Sequence, residues 1–99
     1  MTSVKDKLEG QLGPIFFSDL RAHLDRGAVF LVRGELALID CALAVATDDT
    51  AQVRTWLSNG AMRRPTDEER AQWASEASRR FLAVPVQPYV LIQEEESPS

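Results

Sequence analysis

The stretch from Phe81 to Gln93 reads Phe-Leu-Ala-Val-Pro-Val-Gln-Pro-Tyr-Val-Leu-Ile-Gln, and one of its two parities is aliphatic throughout except for Pro88. Side chains of a strand alternate between faces, so this pattern predicts a long C-terminal strand. It places Leu82, Val84, Val86, Val90 and Ile92 toward a core, with Phe81, Gln87, Tyr89 and Gln93 on a partly wet face. At about 3.3 Å per residue the whole stretch would run about 43 Å, too long to lie straight in a domain whose radius of gyration should be about 13 Å. The chain must bend, and Pro85 and Pro88 put the break or bulge near Gln87.

Ninety-nine residues suffice for one domain, read here as residues 1–94, followed by an acidic tail, 95–99, with no apolar residue to anchor it and so expected to be disordered. Hydrophobic residues make up 44% and charged residues 26%, the balance of a globular chain. Fifteen acids against eleven bases give a net charge of −4, which weighs against a phosphate-backbone partner and makes nucleic-acid binding the remotest of three functional readings. Cys41 is the one cysteine, so no internal disulfide and no thiolate metal cage can form. With no signal-like start and no apolar run near the ~20 residues of a membrane span, the expected location is cytoplasmic.

Local signals mark most of the other elements. Val4, Leu8 and Leu12 recur every four residues and predict a helix over 3–12, ended by Gly13-Pro14. Ser18 as N-cap, Leu20 and Leu24 on one face, and Gly27 beyond the end predict a second helix over 18–26. Residues 28–33, Ala-Val-Phe-Leu-Val-Arg, form a buried strand between two glycines. Residues 35–47 fit both periods. The strand is favoured over the helix, because large and small side chains alternate cleanly and the preceding strand needs a partner across an Arg33-Gly34-Glu35 hairpin turn. Asp49 with Gln52 starts a helix carrying Val53, Trp56 and Leu57 that Asn59-Gly60 closes. Thr66 with Glu69 forms a full capping box for a last helix running to about Arg80, with Trp73 and Ala77 inward and Arg79-Arg80 in its final turn. The fold class that follows is α+β: a small antiparallel sheet packed against about four helices, with the long C-terminal strand as its organiser.

Taken together, Arg26-Gly27, the run Leu36 to Ala42 continuing to Asp48-Asp49, Val53 with Trp56-Leu57 and Gly60, Trp73, and the ending Val86 to Glu94 resemble the bacterial domain of unknown function 2288 family over about residues 4–94. The ending Pro-Tyr-Val-Leu-Ile-Gln, residues 88–93, is its most specific part. Phe17 and Tyr89 stand where tryptophan is usual in that family, and both keep an aromatic ring. The resemblance implies a small cytoplasmic bacterial protein and supplies no reaction, cofactor or catalytic residue.

Chemistry-bearing residues are few. His23, the one histidine, sits at the rim of helix two, where a structural role outweighs general acid–base work. Cys41 lies among apolar neighbours, as an inert core thiol does. Asp40, Asp48 and Asp49 are the best carboxylate group, yet Asp48 and Asp49 are explained as helix-start residues and Asp40 as an exposed or paired acid. Arg63-Arg64 and Arg79-Arg80 are expected to be two separate patches, held apart by a 13-residue helix of about 20 Å. Neither a cofactor nor a metal site is expected. The reading is therefore a non-enzymatic binding or regulatory module working through protein–protein contact, with an unknown partner or with itself as a homodimer, and with Gln87, Tyr89 and Gln93 as the interaction surface. A small enzyme using Asp40 and Asp48 with His23 is the alternative.

Overall fold

The computed structural model describes residues 3–34, 36–76, 79–86 and 88–94. Five helices surround one sheet of five strands, in the chain order α1 (Val4–Gln11), β1 (Gly13–Phe16), α2 (Phe17–Asp25), β2 (Val29–Val32), α3 (Leu38–Ala46), α4 (Thr50–Asn59), β3 (Met62–Arg63), α5 (Asp67–Ala74), β4 (Arg80–Val86) and β5 (Tyr89–Glu94). The α+β class holds. The sheet runs β1-β4-β5-β2-β3, and its pairs are antiparallel except for β2 with β5, which are parallel. The expected antiparallel sheet is thus a mixed one.

The long C-terminal strand is in fact two strands. The break falls where the prolines placed it, but the chain reverses there, and β4 and β5 pair with Val86 opposite Tyr89 and Val84 opposite Leu91. A hairpin of this register swaps parity: even-numbered residues of β4 share a face with odd-numbered residues of β5. Leu82, Val84, Val86 and Leu91 therefore face one core, while Phe81, Ala83, Val90 and Ile92 face another. Phe81, expected on a wet face, has no exposed surface. The expected wet face does not exist along the central strands, because helices cover the sheet on both sides.

On the first side α1, α3 and α4 bring Leu8, Leu38, Cys41, Ala42, Val53 and Trp56 against Val32, Met62, Val84 and Leu91. On the second, α2 and α5 bring Leu20, Leu24 and Trp73 against Val29, Leu31, Phe81 and Ile92, with the Trp73 and Phe81 rings edge to face at 4.7 Å. Aromatic pairs prefer such tilted packing over a flat sandwich.

Residues 38–46 form α3, a helix where a strand was favoured. Leu38, Cys41, Ala42 and Val45, at i, i+3, i+4 and i+7, face the sheet, and the small Cys41 and Ala42 side chains, both fully buried, let the helix lie close. Alanine is the strongest helix former, and the partner that β2 lacks locally arrives from β5 and β3. Two short strands carried no periodic signal: β1, four residues beside β4, and β3, two residues beside β2. Pro14 sits in the edge strand β1, where a missing N–H is tolerated. β1 begins opposite Ala83, so Pro85 lies beyond it and interrupts no ladder on that side.

The helix ends show how the chain is cut into elements. Ser3, Asp49 and Thr66 each accept a backbone N–H three residues on, and Thr66 with Glu69 completes the expected capping box. The N-cap of α2 is Phe16, two residues before the expected Ser18, and the Phe17 N–H is taken by the Arg79 carbonyl at 3.1 Å. The same pairing shortens α5, which stops at Ala74 so that Arg80 can open β4 opposite Phe16. Arg79 and Arg80 are therefore not in a helical turn, and Ala77 and Gln87 lie outside the described residues, as does the tail 95–99.

Candidate functional site

Tyr89 opens β5 at the end of the sheet where the β4–β5 hairpin turns, and its side chain stays 37% exposed although its ring packs edge to face on Phe30 at 5.4 Å. Its position follows from the parallel pairing of β5 with β2: the Val90 N–H donates to the Ala28 carbonyl at 2.8 Å, which seats Tyr89 beside the loop that leaves α2. That loop turns on Gly27, whose φ of +68° only glycine adopts without strain.

A groove of about 490 Å³ and one of about 640 Å³ lie at opposite ends of the sheet. The larger is the hairpin-end groove, formed by His23, Arg26, Gly27, Ala28, Arg64, Pro85, Pro88, Tyr89 and Val90. It carries two arginines and the histidine and no carboxylate. The Arg64 guanidinium lies 5.6 Å from the centre of the Phe30 ring, a cation–π arrangement, and Arg26 donates to His23 Nδ1 at 3.2 Å, so that this nitrogen is the unprotonated one. On the other flank of Tyr89 is a hollow of about 300 Å³ between the end of α3 and the start of α4, lined by Ala44, Val45, Asp48, Asp49, Thr50, Val53 and Arg54 as well as Tyr89. Tyr89 is thus a ridge between a basic groove and a hollow rimmed by two acids and one arginine. Asp48 holds a left-handed backbone, φ 60°, and Asp49 caps α4.

The opposite groove, lined by Arg33, Gly34, Gly60, Arg63, Glu69 and Glu94 over Leu31 and Val32, is neutralised from within. Arg63 donates to both carboxylate oxygens of Glu69, one of them at 2.9 Å, and Glu69 also accepts the Thr66 N–H at 3.0 Å. These bonds, the one from Arg63 foremost, hold the Glu69 carboxyl down to about 2, and the same contact raises the Arg63 guanidinium. Arg79 binds Glu94 at 2.9 Å and Glu76 at 3.2 Å. The Glu94 charge also raises the Arg63 guanidinium, and the helix between Arg63 and Arg79 has eight residues where thirteen were expected.

The residues singled out from the sequence end in different places. His23 lines the hairpin-end groove, Asp48 the hollow on the other side of Tyr89, and Asp40 is exposed in the first turn of α3, whereas Asp48 lies beyond that helix's far end. The structure does not bring these three together. Gln93 is half-buried and donates its side-chain amide to the carbonyls of Arg33 and Leu36, while Tyr89 stands exposed. Cys41 is fully buried, and burial, helped by the Asp40 charge, pushes its thiol up to about 11. Among the described residues no group of three or more histidines, cysteines or acids could hold a metal ion, and no helix is long and apolar enough to cross a membrane. Sequence reasoning missed Arg26, Arg64 and Phe30 as neighbours of Tyr89. The two prolines flanking the hairpin were the available signal, since a turn beside an aromatic leaves that ring at an end of the sheet.

Fold and surface together define a small α+β domain with a doubly covered mixed sheet and an aromatic ridge at its hairpin end. The chain belongs to the family described as protein of unknown function DUF2288, whose model matches residues 3–94. It is similar to PA1075 from Pseudomonas aeruginosa, known from an NMR solution structure, with 32% identity and a TM-score of 0.80 over 94% of this chain and 85% of that one. No curated protein matches it.

Proposed function

We propose that this protein is a non-enzymatic binding module of the bacterial cytoplasm that acts through protein–protein contact at the Tyr89 ridge. The observation that carries the reading is the groove beside Tyr89, where Arg26 and Arg64 converge without a carboxylate in a chain whose acids outnumber its bases fifteen to eleven. Arg63, Arg70 and Arg79 each have an acidic partner, so the chain has acids to spare and places none here. An exposed aromatic ring, two exposed prolines and two neighbouring arginines are the composition that anchors protein interfaces. A bacterial origin is supported by the likeness to PA1075, and a reducing compartment by the single cysteine, buried and unpaired.

Capture from a lysate of the encoding organism tests the reading. Tagged wild type and a Tyr89→Ala/Arg64→Glu variant are compared after crosslinking, with the captured proteins identified by mass spectrometry. At least one protein, which can be the chain itself, is expected on the wild type and missing from the variant. The same set on both would overturn the proposal.

A further inference from the structure

We infer that the partner of the Tyr89 ridge is a second copy of this chain, packed about a two-fold axis that passes beside Tyr89; this rests on the reading of the ridge as a protein-binding surface. A two-fold interface is self-complementary: whatever lies on one side of the axis meets what lies on the other side of the neighbouring copy. The ridge has that division. Arg26 and Arg64 line the groove on one flank with no carboxylate among them, and Asp48 and Asp49 rim the hollow on the other, where Arg54 is the one cation. Rotation about an axis at the ridge sets the Arg64 flank of each copy against the Asp48 flank of the other, so the same charge contact forms twice.

An acidic partner of another kind would match the groove alone and leave the acids of the hollow facing it with like charge. A basic one would be opposed by Arg26 and Arg64. Only a surface that carries both halves in this order satisfies the whole ridge, and this chain has such a surface. Nothing in this arrangement occupies the free edges of the sheet, so dimerisation leaves β1 and β3 as they are.

The test is sedimentation equilibrium on the purified full chain from low micromolar to about 1 mM, with charge reversals on each flank. Wild type is expected to dimerise reversibly, Arg64→Glu and Asp48→Arg each to weaken the dimer about tenfold or more, and the double variant to recover to within about threefold of wild type, because reversed charges again meet opposite ones. Asp48→Asn is run beside Asp48→Arg, since asparagine tolerates the left-handed backbone at that position, and it is expected to weaken association in the same direction. Circular dichroism of each variant confirms that it folds. A wild type that stays monomeric, a dimer indifferent to either reversal, or a double variant that does not recover overturns the two-fold dimer. A monomer that still captures a different protein in a Tyr89-dependent way overturns self-association alone, whereas capture unaffected by Tyr89 and Arg64 overturns the binding reading itself.

Discussion

Gln93 and Leu36 lie 57 residues apart in sequence and are joined by one hydrogen bond, in which the Gln93 side-chain amide donates to the Leu36 carbonyl oxygen at 2.7 Å. The same nitrogen reaches the Arg33 carbonyl at 2.8 Å, so one side chain at the end of β5 closes the loop that links β2 to α3. The Arg33 carbonyl also accepts the Leu36 N–H at 3.1 Å, so the Leu36 carbonyl is the one that depends on Gln93, and leaving it unbonded costs free energy. Gln93→Leu keeps the size of the side chain and removes the donor. It is expected to destabilise the domain by about 2 kcal/mol in urea titration with an unchanged slope, and a loss below about 0.5 kcal/mol would show that the loop is held by other contacts.

Acid stability should depend on Glu69. Its carboxyl is held at about 2 against an ordinary value of 4.5, chiefly by the hydrogen bond from Arg63, so the folded state prefers the ionised form more strongly than the unfolded chain does. A depressed carboxyl contributes stability that is fully present above 4.5 and is lost as pH falls from there toward 2. Glu69→Gln preserves the capping geometry at the start of α5 while removing the titration. Its stability is expected to be lower than wild type at neutral pH and to converge with it toward pH 2, read from thermal unfolding across that range. Parallel curves would mean that the pair contributes nothing to the acid response.

Cys41 should be inert in the folded protein. The thiol is buried and its ionisation is pushed up to about 11, so reagents that need a thiolate reach it only when the domain opens. Labelling with a disulfide reagent at neutral pH is expected to be at least about a thousandfold slower in buffer than in denaturant. Rapid labelling in buffer would place the residue near a local opening of α3.

Adjacent residues of β5 should respond in opposite ways. Val90 is buried in the core beneath α2, and Val90→Asp puts a carboxylate there, at a cost of about 3 kcal/mol or more, enough to unfold a marginally stable domain. Tyr89→Ala loses the edge-to-face contact with Phe30, worth about 1 kcal/mol, and should fold. Circular dichroism and thermal unfolding of the two variants check the pair, and a Tyr89→Ala chain that unfolds as Val90→Asp does would make Tyr89 a core residue.

What could be read from the sequence was what neighbouring residues decide among themselves. Asp49 with Gln52 and Thr66 with Glu69 mark helix starts because a cap is a contact across three residues, and Gly60 marks a helix end because its left-handed φ of +78° is local too. α3 was ambiguous for a non-local reason. Alternating alanines satisfy either period, and the choice fell to helix once β5, from the far end of the chain, occupied the side of β2 where a local partner was expected. The face of each C-terminal residue was misjudged from Tyr89 onward, since a continuous strand and a hairpin assign the same parity up to the turn and opposite parity after it. Of the candidate surface, Tyr89 was visible as an aromatic near two prolines. Arg26 and Arg64 reach it only through the parallel pairing of β2 with β5 and the short β3, and no spacing in the sequence encodes those.

The order of strands across the sheet also sets the order in which the domain can be completed on the ribosome. β4 and β5 stand in the middle of the sheet, yet β1, β2 and β3 are all synthesised before them. Until both emerge, β1 has no neighbour in the sheet and β2 has only the two residues of β3, so neither layer of helices has a surface to close upon. Nascent chains halted before Phe81 should therefore bind chaperones that recognise exposed apolar segments, and folding should proceed in a single late step, with no early N-terminal half to protect.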